Sequence, residues 1–555
     1  MVKREPPQKL DARAHKVEPD RSKKSSETAF SWNKRTIKTV LFREKIRSSW
    51  MITAILAGFI AGIGLSLLPQ ANLFFGEIPL IFAGILAVLV LISRLKFAIF
   101  LAIFAGMILG INRGLPAQGD LSSWQNVIGK NANITAKVEQ DPGLGASGAT
   151  SLYLTDIVLG GREMPGTMYV SLFTKGQKIS RSDEVEISGK ISAGFGSFVA
   201  SMRYGSLDGI TENTGADPAR EARDFFGENL RKTIPSPASD LGMGILAGQK
   251  TALPSAVSVA FITVSLTHIV VASGYNLTIL IRFARRLFAK ISRFSGLVFG
   301  SILVVLFANV TGFSPSMFRA SLVAIMSLFA WYYGRKFHPV ALLIMTAAVT
   351  VFVNPTYLWG DAGWWMSFTS FAGVLIFAPL IKDFFWGNEK DFREKPKIIK
   401  HIKTFLFRGK FSKIQKSEQV EKKHSIRGIV IETFSAQLLS APVIALAMGQ
   451  FSPYGLISNL LVLPVVPLAM ALTFVAGIGG FLLPEFIAKI VAWPATQLLN
   501  YIISVAGWVR EFPGAEQKVE FGLWHAAASF AIILVIIIIL KKKTRHNFYS
   551  DNLVE

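Results

Sequence analysis

The sequence predicts a polytopic α-helical membrane protein with about twelve spans and one small extracytoplasmic β-barrel domain. Of its 555 residues, 51% are hydrophobic and only 17% are charged, and the mean hydropathy is +0.43. A soluble protein of average composition has about a quarter charged residues. Apolar runs of spanning length recur through the chain, and one stretch between them alternates hydrophobic with polar residues, as strands do. These observations exclude an ordinary soluble enzyme.

The N-terminal part combines a basic arm with three predicted transmembrane helices. Residues 1–49 carry 14 Lys and Arg against 6 Asp and Glu without periodicity, which predicts a disordered cytoplasmic arm. Residues 50–111 hold three apolar runs, and a basic turn at Ser93–Lys96 joins the second to the third. Because positively charged loops stay in the cytoplasm, the third helix is expected to end outside.

Residues 112–217 are expected to form the extracytoplasmic β domain. Ile134, Ala136 and Val138 alternate with polar neighbours, and further segments repeat this pattern between Gly-rich turns. Short strands at this spacing predict a small β-barrel or sandwich. Residues 112–224 hold 11 Lys and Arg against 13 Asp and Glu, so the basic excess disappears where the chain is expected to be outside.

Residues 218–254 are predicted to hold amphipathic helices at the membrane interface. Between Pro218 and Lys232, aromatic and aliphatic side chains fall on one side of a helix, and Arg220 and Arg223 fall on the other. A helix with this pattern is expected to lie in the plane of the interface.

The rest of the chain is predicted to be embedded in the membrane. Residues 255–511 hold most of the remaining spans and contain a basic cytoplasmic loop, 382–428, with 14 Lys and Arg against 6 Asp and Glu. Residues 512–555 hold the last span and a basic cytoplasmic tail. Counting crossings from a cytoplasmic N terminus places every basic cluster and both termini in the cytoplasm.

Two of the predicted spans differ in their expected continuity. Residues 256–281 are largely apolar and predict one continuous helix. Residues 454–483 contain Pro464 and Pro467, which predict a broken or re-entrant span.

Polar residues within the spans indicate a function, because a charged side chain at mid-bilayer costs about 2.5–3.5 kcal/mol and usually faces an interior or a cavity. They either join helices through hydrogen bonds or line a water-filled path. A metal site would need more ligands than one His, so none is expected. The candidate pathway residues are His268, Ser273, Gly274, Asn276, Arg319, Asp361, Gln437, Asn459 and Pro464.

Among these candidates, Arg319 has three clearly different possible roles. It lies one turn inside a span that follows Gly312 and Pro315. A guanidinium at that depth is expected to line a path and meet an anion, to pair with Asp361, or to snorkel towards the interface.

Four blocks of the chain, in this order and spacing, resemble the ComEC/Rec2 competence family, the inner-membrane channel for DNA uptake in natural transformation. The blocks are 241–250, 312–320, 361–368 and 435–467, and the last is the most specific. The resemblance implies that the helices of 240–510 form a path for single-stranded DNA in the inner membrane, in contact with membrane lipids. It also implies a separate nuclease, a DNA receptor and a cytoplasmic motor as partners, and no cofactor.

The predicted external domain is similar to the OB-fold domain of that family. This resemblance implies a surface for single-stranded DNA, although a spacer or a partner surface fits the near-neutral charge of the domain equally well. The residues expected to stack on bases or to contact phosphates are Lys137, Tyr153, Tyr169, Phe173 and Lys175.

The chain departs from the family pattern in two places. The first family motif usually ends Gly-Leu-His, whereas this chain has Gly274-Tyr275-Asn276, so a role of that His passes to Asn276 or is lost. Many members carry a metallo-β-lactamase-like domain, but the seven His here contain no His-x-His-x-Asp-His set. We therefore expect a channel without nuclease or other enzymatic activity.

Two other classes of function stay open at this level. A secondary transporter of another anionic or lipid-linked substrate would use the same polar helices and predicts inverted repeats, which are not evident. A non-conducting scaffold of an uptake apparatus is the other. The sequence has no Gly-Lys-Ser/Thr nucleotide-binding loop, so a separate motor or a gradient is expected to supply energy.

Overall fold

The structure is a computed structural model. It describes residues 46–144, 149–174, 177, 179–213, 215, 217–249, 253–270, 274–288, 291–312, 314–334, 338–387, 426–515 and 517–546. Nearly all of the predicted basic arm, most of the predicted cytoplasmic loop, the end of the tail, and the candidates Ser273 and Lys175 lie outside the described residues.

Three helices begin the described chain, namely α1 (Ser48–Leu65), α2 (Glu77–Ser93) and α3 (Ala98–Ser123). Helices α1 and α3 cross at glycines, and a Cβ atom on Gly58 or Gly62 would overlap a backbone oxygen of α3. Close backbone approach through small residues is a common way for membrane helices to associate, since burial from water supplies no drive there.

Helix α3 continues well beyond the end predicted for the third span. The first polar residues beyond that end bond to carbonyl groups of neighbouring segments, which fixes this part of the helix in place. Asn112 donates to the carbonyl of Phe74 (2.7 Å), and Arg113 donates to the carbonyl of Phe352 (2.8 Å). The β domain therefore starts later than hydropathy indicates, at Asn131.

The β domain is a closed barrel. Its strands are β1 (Asn131–Val138), β2 (Gly143–Leu144), β3 (Thr150–Leu159), β4 (Arg162–Met164), β5 (Met168–Leu172), β6 (Glu184–Ala193) and β7 (Ala200–Thr211). Antiparallel pairs β1–β6, β6–β7, β3–β5 and β1–β3, with one parallel pair β5–β7, close a ring of five strands. Alternating residues such as Ile134 and Val170 fill its interior. The barrel alternative of the sequence prediction is therefore confirmed.

Two helices follow the barrel, α4 (Pro218–Thr233) and α5 (Ala238–Ala247). The interfacial position predicted for α4 is wrong, because its arginine face is buried against the barrel. Arg220 forms an ion pair with Asp183 (3.1 Å), and Arg223 forms one with Asp141. Phe226 packs against apolar helices on the opposite face. The helical periodicity of this segment predicts that the two arginines share a face. It does not predict their carboxylate partners, which come from distant loops of the barrel.

The remaining described chain is helical. Its helices are α6 (Ser255–Thr263), α7 (Thr267–Val270), α8 (Gly274–Phe288), α9 (Arg293–Thr311), α10 (Pro315–Tyr332), α11 (Pro339–Val353), α12 (Thr356–Gly360), α13 (Ala362–Ala372), α14 (Ala378–Trp386), α15 (Ile426–Met448), α16 (Gly455–Val462), α17 (Val466–Leu482), α18 (Glu485–Arg510) and α19 (Leu523–Thr544). Helix α13 continues into α14 through a π-helical turn at Gly373–Phe377. Two short strands, β8 (Gln450–Phe451) and β9 (Gln517–Lys518), pair antiparallel.

A second set of buried polar contacts joins the barrel to α4 and α9. The Nε atom of Arg181 donates to Asp217 (2.6 Å), and its Nη2 atom donates to the carbonyl of Asn309 (3.1 Å) at the end of α9. Asp217 also caps α4 by accepting from the N–H of Arg220 (2.9 Å). Burial opposes ionisation of Asp217, but the hydrogen bonds from Arg181 and Arg220 outweigh it and hold the pKa of this carboxyl below its ordinary value.

The described chain is a polytopic helical membrane protein, as predicted. Seven described helices are long and apolar enough to cross a membrane, or eight if the bent pair α16–α17 is one span. The predicted twelve long spans are not all present in the described chain. The continuous helix predicted at 256–281 is wrong, since Ser265, with φ +56°, interrupts it between α6 and α7. Helices α16 and α17 meet at 51°, as the prolines predict.

Candidate functional site

A cavity of about 2230 Å³ extends from the barrel into the helical region. Helices α10 and α13 line it with residues spaced mostly three or four apart, so each presents one face to it, while α8 and α15 line it with most of their circumference. Asn276 does not line the cavity. The predicted pathway residues on its wall are His268, Gly274, Arg319, Asp361, Gln437, Asn459 and Pro464.

The barrel end of the cavity is aromatic and acidic. Tyr153 and Phe198 stack there, with ring centroids 5.2 Å apart, and Glu139 lines the wall beside them. Burial and a nearby aspartate raise the pKa of Glu139. Burial, together with Glu139 and Asp361, raises the pKa of Tyr357 to about 12.

Asp361 joins the barrel to the helices. Its carboxylate accepts from the hydroxyl of Ser197 in the barrel (3.0 Å) and caps α13 by accepting from the N–H of Trp364. The backbones of Gly196 and Gly360 touch beside it, and a Cβ atom on Gly360 would lie 2.7 Å from the carbonyl oxygen of Gly196. This carboxylate therefore links the barrel to the start of α13 through hydrogen bonds.

Arg319 lies further along the cavity wall, on α10. Its guanidinium carbon lies 5.1 Å from the ring centre of Phe371 and 5.7 Å from that of Phe368. It forms no hydrogen bond or ion pair with any residue that the structure describes, and its Nε atom is buried. The pairing with Asp361 considered from the sequence is therefore wrong, because that carboxylate is engaged by Ser197 and Trp364.

The N terminus of α10 and Gly274 of α8 lie beside Arg319 on the cavity wall. Gly312, with φ +81°, turns the chain before α10, and the Ser314 hydroxyl caps that helix by accepting from the N–H of Met317 (3.4 Å). A Cβ atom on Gly274 of α8 would lie 3.9 Å from Nη2 of Arg319. Helix N termini carry partial positive charge. Together with the guanidinium, the N terminus of α10 forms an electropositive region that can hold an anion.

The other predicted residues divide by position. Asn459 is only 2% exposed, and its Oδ1 atom has no hydrogen-bond partner among the described residues. Asn276 is 1% exposed and donates to the carbonyl of Ile245 (2.8 Å), so it joins α8 to α5. Among the described residues, no three His, Asp or Glu side chains lie close enough together to hold a metal ion.

The sequence analysis missed the residues that line the cavity along α8. Tyr275, Thr278, Arg282 and Arg286 lie on its wall, and Arg285 does so with its guanidinium carbon 4.8 Å from the ring centre of Trp331. The signal was the spacing of polar residues three and four positions apart.

The predicted DNA-contacting residues of the barrel lie in different places. Tyr153 lines the cavity, and the ring of Tyr169 packs against it at 6.1 Å. Phe173 stacks on Tyr204 at the barrel surface, with centroids 6.1 Å apart, and Tyr204 is 70% exposed. Lys137 is exposed on β1. Of those that the structure describes, only Tyr153 lines the cavity, while Lys137, Tyr153 and Tyr169 share the outward face of the adjacent strands β1, β3 and β5.

A family model described as Competence protein matches residues 245–545, which is more than half of the chain. The chain belongs to this family. No curated protein and no solved structure matches it significantly. The matched range of the competence protein contains α8, α10, α13, α15 and α16, the helices that line the cavity, while the barrel precedes it. Membership assigns the chain a role in DNA uptake at the membrane.

Proposed function

We propose that this competence protein is a channel that passes single-stranded DNA across the inner membrane through the cavity. One observation carries the proposal: residues from the blocks at 312–320, 361–368 and 435–467 line one cavity that reaches from the barrel to the arginines of α8. The three blocks are far apart in sequence but line the same cavity, so their residues can contact the same substrate.

The chemistry of the wall suits a chain of phosphates. An anion in apolar surroundings costs far more than one cation offsets, so a path through the membrane needs water, polar groups and positive charge. Arg319 and the N terminus of α10 supply the charge. Gln437 and Asn459 supply amide groups that both donate and accept hydrogen bonds.

In this proposal the barrel is an OB-type fold that receives the strand. Its five-stranded closed pairing with one parallel pair supports that assignment, since OB folds are small Greek-key barrels. Tyr153 and Tyr169 are the candidates for base stacking where the barrel opens to the cavity. Phe173 is a candidate on the outer surface, and Lys137 and Lys175 are candidates for phosphate contacts.

The proposed topology has both termini in the cytoplasm and the barrel outside. Twelve crossings result if the shorter apolar helices α2, α10 and α11 and the broken segment α6–α8 are added to the eight. The basic loop 382–428 then lies in the cytoplasm, in accord with the positive-inside rule.

The substitution Asp208→Cys tests this topology. Asp208 is exposed on β7, and the chain has no other Cys, so a membrane-impermeant maleimide added to intact spheroplasts is expected to label it. Lys542→Cys, at the end of α19, is the matched control and is expected to react only after lysis. Reaction of Asp208→Cys only after lysis would overturn the placement of the barrel.

The proposed partners follow from what the chain itself lacks. We assign strand hydrolysis, DNA capture and the driving force to a separate nuclease, a receptor and a motor, and we assign no catalytic activity to this chain. The absence of a His-x-His-x-Asp-His set and of a Gly-Lys-Ser/Thr loop in the sequence supports this division. Membrane lipids surround the exposed apolar faces of the helices.

The substitution Thr278→Trp tests the cavity as the path. Thr278 faces the cavity from α8, so an indole there fills part of it. DNA uptake is expected to fall roughly tenfold or more at unchanged membrane abundance, since a barrier higher by about 1.4 kcal/mol suffices. The measurement is entry of labelled DNA into the cytoplasm of cells that carry only the variant.

Leu287→Trp is the matched control for that experiment. Leu287 lies on the same helix, is exposed and does not line the cavity, so uptake is expected to stay at the wild-type level. Wild-type uptake by Thr278→Trp would contradict a path through this cavity and would favour a non-conducting scaffold.

A further inference from the structure

Three arginines of α8 line the cavity at its end opposite the barrel. Helix α10 starts near the barrel, since Arg181 of the barrel region donates to the carbonyl of Asn309 just before it. Trp331 is at the other end of α10, 16 residues after Pro315, and a helix of that length spans about 24 Å. The guanidinium of Arg285 lies over the Trp331 ring. The arginines are therefore far from the barrel end.

The charge on the cavity wall changes sign along its length. At the barrel end Glu139 and Asp361 line the wall, whereas at the far end Arg282, Arg285 and Arg286 line it with one carboxylate among the described residues, that of Glu432. Like charges three and four positions apart on a helix repel each other. Such a cluster on the wall of a cavity favours an anion between the arginines.

The residue type indicates which anion fits. Guanidinium groups are planar and donate two parallel hydrogen bonds to a phosphate, which an ammonium group does not. Stacking of Arg285 on Trp331 holds one of these planes in place. Arg282 and Arg286 are one helical turn apart on α8, so both guanidinium groups belong to the same part of the cavity wall.

We propose that Arg282, Arg285 and Arg286 form a second phosphodiester-binding station, which holds the strand backbone at the end of the cavity away from the barrel. This inference rests on the proposed channel function and adds to it the residues that retain the strand after it passes Arg319. The phosphate of a lipid headgroup has the same chemistry, so the test separates the two sources.

The test measures binding of a short fluorescent oligothymidylate to the purified full-length chain in detergent, over a series of salt concentrations. Each phosphate contact contributes about 0.7 to the slope of log affinity against log salt for a single strand. The triple variant Arg282→Gln, Arg285→Gln, Arg286→Gln is therefore expected to lower that slope by about 2. Arg293→Gln is the matched control, because Arg293 is exposed at the start of α9 and does not line the cavity.

The outcomes separate this inference from the function on which it rests. A triple variant with the wild-type slope overturns the station, whereas a wild-type chain that does not bind the oligonucleotide counts against the channel function itself. Loss of co-purifying anionic phospholipid at an unchanged slope identifies a lipid site and also overturns the station. If the triple variant does not elute as a single folded species, Arg286→Gln alone is expected to lower the slope by about 0.7, and an unchanged slope refutes the proposal.

Discussion

Replacing Arg319 by alanine is expected to reduce DNA uptake roughly 10- to 150-fold while the amount of folded protein in the membrane stays unchanged. The range corresponds to the loss of a charged hydrogen bond worth about 1.5–3 kcal/mol. Uptake of labelled DNA and membrane abundance, measured on the same cells, check both parts of this expectation.

The structure explains why DNA uptake is expected to fall while membrane abundance stays unchanged. Arg319 has no ion pair or hydrogen bond with the described residues, so its removal leaves no partner unsatisfied. It contacts the rings of Phe368 and Phe371, which tolerate a neutral neighbour. Its guanidinium lies beside the N terminus of α10, and in the proposed channel a phosphate at this place would be stabilised by both.

Arg319→Lys refines the test. The charge remains but the two-pronged donor is lost, so uptake is expected to fall by an intermediate factor. Arg293→Ala is the matched control, because it removes an arginine outside the cavity. Wild-type uptake by Arg319→Ala at wild-type abundance would exclude a phosphate contact in the pathway.

Replacing Asp183 by asparagine is expected to destabilise the junction between the barrel and α4 by about 3–5 kcal/mol. Asp183 is 3% exposed and accepts from Arg220 (3.1 Å), so the substitution leaves a guanidinium charge buried without its counter-ion. Protein abundance and the thermal unfolding midpoint of the purified chain measure the effect. Glu163→Gln, an exposed acid on β4, is the matched control and is expected to change neither.

The double variant Asp183→Leu with Arg220→Met separates the ion pair from a general intolerance of the site. Removing both charges together removes the unpaired charge, so most of the lost stability is expected to return. A double variant no more stable than Asp183→Asn would show that the buried pair does not account for the loss.

Local patterns predicted the elements that depend on neighbours in sequence. A high apolar content indicated a membrane protein because long apolar runs have no other favourable environment. Alternation around Ile134 indicated a barrel strand, because side chains of a strand point to opposite faces. The breaks at Gly312 and Pro464 followed from the backbone preferences of glycine and proline.

The same argument explains why most candidate residues share one cavity. A polar side chain in an apolar helix is costly towards lipid, so His268, Arg319 and Asn459 turn to the interior. Asn276 also turns inward, but its interior partner is the carbonyl of Ile245, and nothing in the sequence distinguishes that carbonyl from the cavity.

By itself the sequence determined the class of protein, most of the membrane helices, a small β domain and most of the helices that carry the candidate pathway. Only the tertiary structure decided which charges meet. Arg220 and Arg223 bind barrel carboxylates instead of facing the membrane interface, and Asp361 binds Ser197 instead of Arg319. Periodicity predicts which face of a helix or strand is polar. The partner of a polar side chain comes from a segment far away in the chain, and its approach depends on the packing of the whole fold.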